Sequence, residues 1–309
     1  MIIKEYPEFS WSFSRHKTMM DCLKKYYLSY YGFHNGWLHN ADAIKKHIYR
    51  LKKITNLEMI LGSKVHEYIE TLIHSNFHKD LMNPKVMFNT IWKDIEKTIN
   101  SSFHQYNDWY EKPSKVQMLH EVYYENDIPN EKMADMKERL NTIVHNLFEN
   151  ETFQNMVKKK VKNQPDSEKY RYMNRDGVKI WVRLDLHYTD SNNNRTIVDW
   201  KTGKSNKDDR YQLALYSHFI SKAYNISDLS RIGIRNEYLL NNESKAYKVN
   251  QLDINNMKEL INTSIEYMQS FLEDAEKNIP LDDSCFTKTA NQSICSRCNF
   301  KEICNVSSD

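Results

Sequence analysis

Glycine and proline are scarce in this chain: each occurs 6 times in 309 residues, together about a third of ordinary usage. That predicts few tight turns, few glycine-rich loops, and long helices joined by short connections. No apolar run reaches the length of a membrane span. The opening residues, MIIKEYPEFSW, lack the long apolar segment of a secretory signal. No large excess of one charge is present either. The 44 basic and 41 acidic residues leave a net +3, which does not describe a protein that coats nucleic acid, although a local basic groove is compatible with it. Low-complexity segments, internal repeats and Pro- or Ser-rich linkers are absent. These absences predict a cytoplasmic protein with reduced thiols and no membrane contact; they say nothing of oligomeric state.

What is present is a hydrophobic content of 40% beside 28% charged residues, enough for a packed core. The first half reads as helical. SRHKTMMDCLKKYYLSYYG has apolar and aromatic residues at helical spacing, with Ser14 as a candidate cap and Gly32 as a candidate stop. NLEMILGSKVHEYIETLIHS is a second helix with Ile60, Val65, Ile69 and Leu72 near one face. Residues 84–105 and 131–160 are predicted helices, and their Tyr, Phe and Met stripes are core packing. Phe103, Tyr106, Trp109 and Tyr110 are read first as core, with base stacking as the alternative.

Near residue 165 the pattern changes. EKYRYMN, VKIWVRLDLHY and RTIVDWK are strand-like, with RDG and SNNN as turn signals. A helix over 208–225, the strands RIGIRNEYLL and SKAYKVN, and a long helix over 252–278 follow. The expected fold is α/β (α+β), a mixed central sheet flanked by helices. Three regions are expected: a mainly helical 1–164, a core over 165–280, and a cysteine-rich tail over 281–309.

Two signals compete in RTIVDWKTGKS. The tripeptide at Gly203, Lys204 and Ser205 looks like the end of a nucleotide-binding loop. Such a loop needs a glycine five residues before Gly203, and Val198 stands there inside an apolar run. The nucleotide loop is therefore set aside. Asp199 and Lys201 flank Trp200 on a strand, so period two sends both polar side chains to one face and Trp200 to the other. If the preceding strand pairs with this one through TDSNNN, Asp185 lies beside Asp199. Two carboxylates so placed repel unless a cation sits between them, and hard oxygen ligands suit Mg²⁺ or Mn²⁺. The plain alternative is an Asp–Lys surface pair.

VRLDLHY, TIVDWKTGK and YQLALYSHF together resemble the PD-(D/E)xK nuclease superfamily. More narrowly they resemble the RecB-like nucleases with an iron–sulfur cluster, a group that includes CRISPR-associated RecB-like exonucleases and AddB-type nuclease domains. The resemblance covers the middle and both ends of the chain and nothing specific between about 76 and 165. It implies a restriction-endonuclease-like core. It places the family's first aspartate on Asp185, its acid-x-lysine on Asp199 and Lys201, its helical Gln and Tyr on Gln212 and Tyr216, and its upstream histidine on His66 of GSKVHE. Where the family often has glycine three residues before the first aspartate, this chain has Val182. The implied roles are His66, Asp185, Asp199 and the Trp200 carbonyl as metal ligands, and Lys201, Gln212 and Tyr216 as catalytic residues. An imidazole beside two aspartates makes the site softer than an all-oxygen one, so Mn²⁺ is expected to serve at least as well as Mg²⁺.

The five cysteines are Cys22 and, within the tail, Cys285, Cys295, Cys298 and Cys304. In a reducing compartment such a pattern favours a metal site over disulfides. Spacing alone leaves a four-thiolate Zn²⁺ site and an iron–sulfur site both open. The resemblance implies a [4Fe–4S] cluster on Cys22, Cys295, Cys298 and Cys304, and leaves Cys285 as a buried thiol. The expected activity is a metal-dependent DNA nuclease, an exonuclease on single-stranded or end-bearing DNA. Its expected partners are a helicase or CRISPR-adaptation or recombination machinery. The alternatives are a non-cutting nucleic-acid-binding protein on the same scaffold, or a zinc-stapled interaction module.

Overall fold

The computed structural model describes residues 4–158, 166–167, 170–190, 192–203 and 209–306. Lys204 and Ser205 of the GKS tripeptide lie outside them, as do residues 159–160 and 168–169 at the ends of two predicted elements.

The chain opens with strand β1 (Ser10–Ser12) and helix α1 (Phe13–Asp21). The cap is Ser12, which accepts from the Arg15 amide at 3.1 Å, rather than Ser14. The predicted single helix breaks at Cys22, whose backbone is extended. The Cys22 thiol then caps α2 (Leu23–Tyr27) by accepting from the Lys25 amide. A π-helical turn, Leu28–Gly32, completes this segment.

Next come α3 (Ala43–Lys52), β2 (Ile54–Thr55), α4 (Leu57–His74), α5 (Pro84–His104), α6 (Tyr106–Glu111), β3 (Met118–Leu119) and α7 (His120–Glu125). The predicted helix over 131–160 is two, α8 (Asn130–Glu149) and α9 (Glu151–Val157). Asn150 between them turns its side chain back to cap α9. Ile60, Val65, Ile69 and Leu72 of α4 are all buried. Of the four aromatic residues near residue 105, only Trp109 is core; Phe103, Tyr106 and Tyr110 are exposed.

The β-rich part comprises β4 (Asp166–Ser167), β5 (Tyr170–Arg175), β6 (Val178–Arg183), β7 (Leu186–Thr189), β8 (Arg195–Lys201), α10 (Asp209–Ala223), β9 (Ile232–Tyr238), β10 (Glu243–Lys248) and α11 (Gln251–Gln269). Two expectations change here. VKIWVRLDLHY is two strands interrupted at Leu184–Asp185, and they belong to different sheets. One mixed sheet has the order β1-β6-β5 and the other, the larger, β10-β9-β8-β7-β4, in the mixed α/β fold that was expected. The helix predicted to reach 278 stops at Gln269, and a short hairpin of β11 (Leu272–Asp274) and β12 (Ile279–Pro280) follows. The tail adds α12 (Gln292–Cys295) and α13 (Lys301–Val306).

Scarce glycine did not mean scarce turns. Among the described residues, seven asparagines, at 35, 76, 126, 193, 225, 242 and 278, take left-handed backbone positions. A short polar side chain that bonds locally tolerates that region.

The core has two parts, divided by the five-stranded sheet. Val198 and Trp200 of β8 join the cluster built from α4, α5 and α8, while Ile197 joins the cluster built from α10, α11 and α1. Alternation along β8 therefore directs Asp199 and Lys201 toward α10. No helix among the described residues is long and apolar enough to cross a membrane.

Candidate active site

The break at Leu184–Asp185 positions the first carboxylate. β7 runs antiparallel to β8, with Leu186 opposite Val198, so Asp185 falls beside the Asp199–Trp200 peptide. Its Oδ2 accepts the Trp200 amide at 2.9 Å. Asp199 is 3% exposed, and Lys201 Nζ lies 2.6 Å from its Oδ2. Burial first, then the Asp185 carboxylate, push the Asp199 carboxyl up to about 7, against the pull of Lys201 and His66. A buried acid held this way stays ionised only if positive charge is close.

His66 arrives from the other side of the sheet. Its Nε2 donates to the Trp200 carbonyl at 2.9 Å, which leaves Nδ1 facing Asp185 Oδ1 at 3.5 Å. Gly62, one turn earlier on α4, makes this approach possible: a Cβ there would meet Thr202 Oγ1 at 3.1 Å. Trp200 is thus held at both ends of its residue, its amide by Asp185 and its carbonyl by His66. On α10, Gln212 Nε2 donates to Tyr216 Oη at 2.6 Å. The Tyr216 phenol is pushed well above its ordinary range by burial and then by Asp199 and Asp185, which places it within their field.

These residues test the fit of a divalent cation. Two ligands at about 2.1 Å from one ion and at right angles are about 3 Å apart, close to the His66–Asp185 separation. A neutral imidazole nitrogen and a carboxylate oxygen are both acceptors, so a proton or a cation belongs between them. The His66 Nε2–H bond to the Trp200 carbonyl fixes the imidazole so that Nδ1 faces Asp185. Among the described residues, however, no three His, Cys, Asp or Glu side chains stand together as a closed metal cage. The structure brings His66 to Asp185 and Lys201 to Asp199, and the donor chemistry fits, without a completed ligand set.

The cysteines lie elsewhere, and the absence of a closed metal cage among the described residues holds for them too. Cys22, Cys295, Cys298 and Cys304 line one cavity of about 140 Å³. Burial raises the Cys298 and Cys304 thiols; Cys22 and Cys295 raise both further, and Cys298 also raises Cys304. Lys25, Lys288 and Lys301 stand around the same cavity, where they offset thiolate charge. Cys285 does not join them. It is exposed, contrary to its expected burial, because it sits in a surface 3₁₀ turn with only the next residue, Phe286, packed inward.

A family model described as PD-(D/E)XK nuclease superfamily matches residues 10–305. The chain belongs to the PD-(D/E)XK nuclease superfamily. Among solved structures, the crystal structure of SSO0001 is 16% identical, with 58% of this chain and 81% of that chain covered at a TM-score of 0.27. No curated protein matches the chain.

Nucleases of this superfamily usually use Mg²⁺ or Mn²⁺. Sequence reasoning missed the wall beside the centre. A cavity of about 700 Å³ is lined by Gln212 and Tyr216 together with Arg15, Tyr30, Trp181 and Arg183. Arg15 is 4% exposed and pairs with no carboxylate among the described residues. It bonds instead to the Ser10 carbonyl and the Tyr26 and Tyr31 hydroxyls, with the Tyr30 ring 4.5 Å away. No local pattern marks such a residue. The Tyr-rich run around it and the three-residue β1 were the available signals.

Proposed function

We propose that this superfamily member is a metal-dependent deoxyribonuclease that hydrolyses phosphodiesters at single-stranded or end-bearing DNA. The observation that carries the reading is the meeting of Asp185, Asp199, Lys201 and His66 at one strand end, with two of them buried or bonded to the same peptide. Asp185, Asp199, His66 and the Trp200 carbonyl are the residues that would hold the cation. The bound ion supplies an activated water and charge for the phosphodiester. Lys201 orients the attacking water and offsets charge that develops in the transition state. Gln212 and Tyr216, four apart on α10, position Lys201 or the substrate backbone from the same side.

The wall formed by Tyr30, Trp181 and Arg183 favours a strand with unpaired bases, since rings stack bases and a guanidinium group takes a phosphate. Cys22, Cys295, Cys298 and Cys304 would hold a [4Fe–4S] cluster. A cavity of about 140 Å³ suits a cluster better than one Zn²⁺ held at about 2.3 Å from each sulfur. By family resemblance the nuclease works beside a helicase or within CRISPR-adaptation or recombination machinery.

The test compares wild type with Asp199→Ala and Lys201→Ala on labelled single-stranded and duplex DNA, in Mn²⁺ and in Mg²⁺. Each substitution is expected to lower cleavage by about 10²–10³-fold or more, with Mn²⁺ at least as effective as Mg²⁺. Cleavage that survives both substitutions overturns the catalytic reading. Strong Mg²⁺ activity with inert Mn²⁺ overturns the ligand set.

A further inference from the structure

On the far side of α10 from the catalytic centre lies a second cavity, of about 440 Å³. Tyr216 and His218 are two residues apart, which on a helix places them roughly 200° apart. Four basic side chains from three elements line it: Arg175 at the end of β5, His218 and Lys222 on α10, and Lys258 on α11. Its floor is apolar, with Ile180, Met257 and Ile261 nearly or fully buried.

Such a gathering of positive charge is unfavourable on its own. Its effect is visible on His218. Burial first, and then Lys258, Lys222 and Arg175, lower that imidazole to about 4. Among the described residues, the cluster's ion pair is with Asp176, 3.9 Å from Arg175 and itself 94% exposed. No carboxylate among the described residues pairs with Lys222 or Lys258. One turn before Lys222 on α10 stands His218, and one turn either side of Lys258 on α11 stand Ile254 and Asn262, none of them an acid. A missing anion would account for the arrangement, and the apolar floor gives it a body as well as a charge.

We propose that this cavity is a phosphate-ester site separate from the catalytic centre, in which Arg175, Lys222 and Lys258 take the phosphate of a nucleotide and the apolar floor takes its base or sugar. The nucleotide is either free or one unit of a bound strand, since both present the same chemistry. His218 adds a neutral hydrogen-bonding group and gains a proton more readily once the phosphate is in place. The site needs no hydrolysis, so it stands or falls apart from the nuclease reading.

The test uses the full-length Asp199→Ala chain without divalent cation, so that nothing is cut. Deoxyadenosine monophosphate, inorganic phosphate and a short single-stranded oligonucleotide are titrated in turn by calorimetry. The His218 imidazole resonance, assigned with His218→Gln, is followed by NMR. Saturable binding of the monophosphate is expected, with inorganic phosphate competing and the His218 resonance titrating at higher pH in the complex. Combining Lys222→Gln with Lys258→Gln is expected to weaken binding roughly tenfold or more. Competition by the oligonucleotide stronger than that of inorganic phosphate assigns the site to a strand; no competition by it assigns a free nucleotide. Absence of saturable monophosphate binding, or binding indifferent to the loss of both lysines, overturns the proposal. If the double variant does not fold, the His218 shift in the parent chain decides alone.

Discussion

Asp185 has two separable tasks at the residue scale. Its charge faces Asp199 and His66, and its Oδ2 accepts the Trp200 amide. Asp185→Asn keeps an acceptor for that amide and removes one of two repelling carboxylates. Cleavage is expected to fall about 10²–10³-fold, while metal-free thermal stability stays level or rises. Asp185→Ala is expected to lose activity and also about 1–3 kcal/mol of stability, because the Trp200 amide is left unbonded. Calorimetric melting beside a cleavage assay separates the two. His218 gives a pH prediction. Its folded value, about 4, lies below the ordinary 6.5. Between those limits the unfolded chain holds the extra proton, so stability is whole above about 6.5 and declines as pH falls toward 4. His218→Gln is expected to flatten that part of the stability curve in urea titrations across this range. An unchanged slope would refute the assignment.

At the scale of elements, the decisive contact is α4 against the end of β8. Gly62 is not there for a turn; it lets the helix come close enough for His66 to reach the Trp200 carbonyl. Gly62→Ala should gain up to about 1 kcal/mol of helix propensity. The new Cβ would also press on Thr202. The expected outcome is a melting temperature that hardly moves and cleavage reduced by about tenfold, since small displacements of a positioned group lower rates steeply. Full activity in Gly62→Ala would show that the close approach is not needed.

Across the whole molecule, the tail ties the first helices to the helical half. Lys24 donates its amide proton to Thr287 O and pairs with Asp283. Asn299 donates to the Ile54 carbonyl, while Tyr124 donates to the Asn299 carbonyl. The cysteine cavity sits at this junction, and the cluster proposed for it would close nearly the entire chain into one loop. Closure of so long a loop is worth up to about 5 kcal/mol in the chain-entropy picture. Cys298→Ser is expected to give a colourless, poorly soluble protein. Cys22→Ser is expected to lose the colour too while keeping α2 capped, because a serine oxygen can accept from the Lys25 amide as the thiol does. The check is visible absorption, iron and zinc content, and melting temperature of anaerobically purified protein. Stoichiometric zinc in a colourless wild type would replace the cluster with a zinc site.

Local rules settled a good deal from the sequence. Helical period made the buried face of α4 legible, and strand period put Asp199 and Lys201 on one face with Trp200 on the other. The order of motifs was enough to recognise the superfamily. Other features depended on partners far away in the chain. The split of VKIWVRLDLHY between two sheets, the extended Cys22 between two helices, and the surface position of Cys285 carry no local periodic signal. Glycine count does not measure left-handed backbone here, because asparagine supplies those turns. The reach of His66 to Trp200, 134 residues on, and the assembly of Arg175, His218, Lys222 and Lys258 were decided only by tertiary structure. Propensity and capping act within a few residues, whereas charge fields, cavities and close helix–strand approach exist only once distant segments have packed.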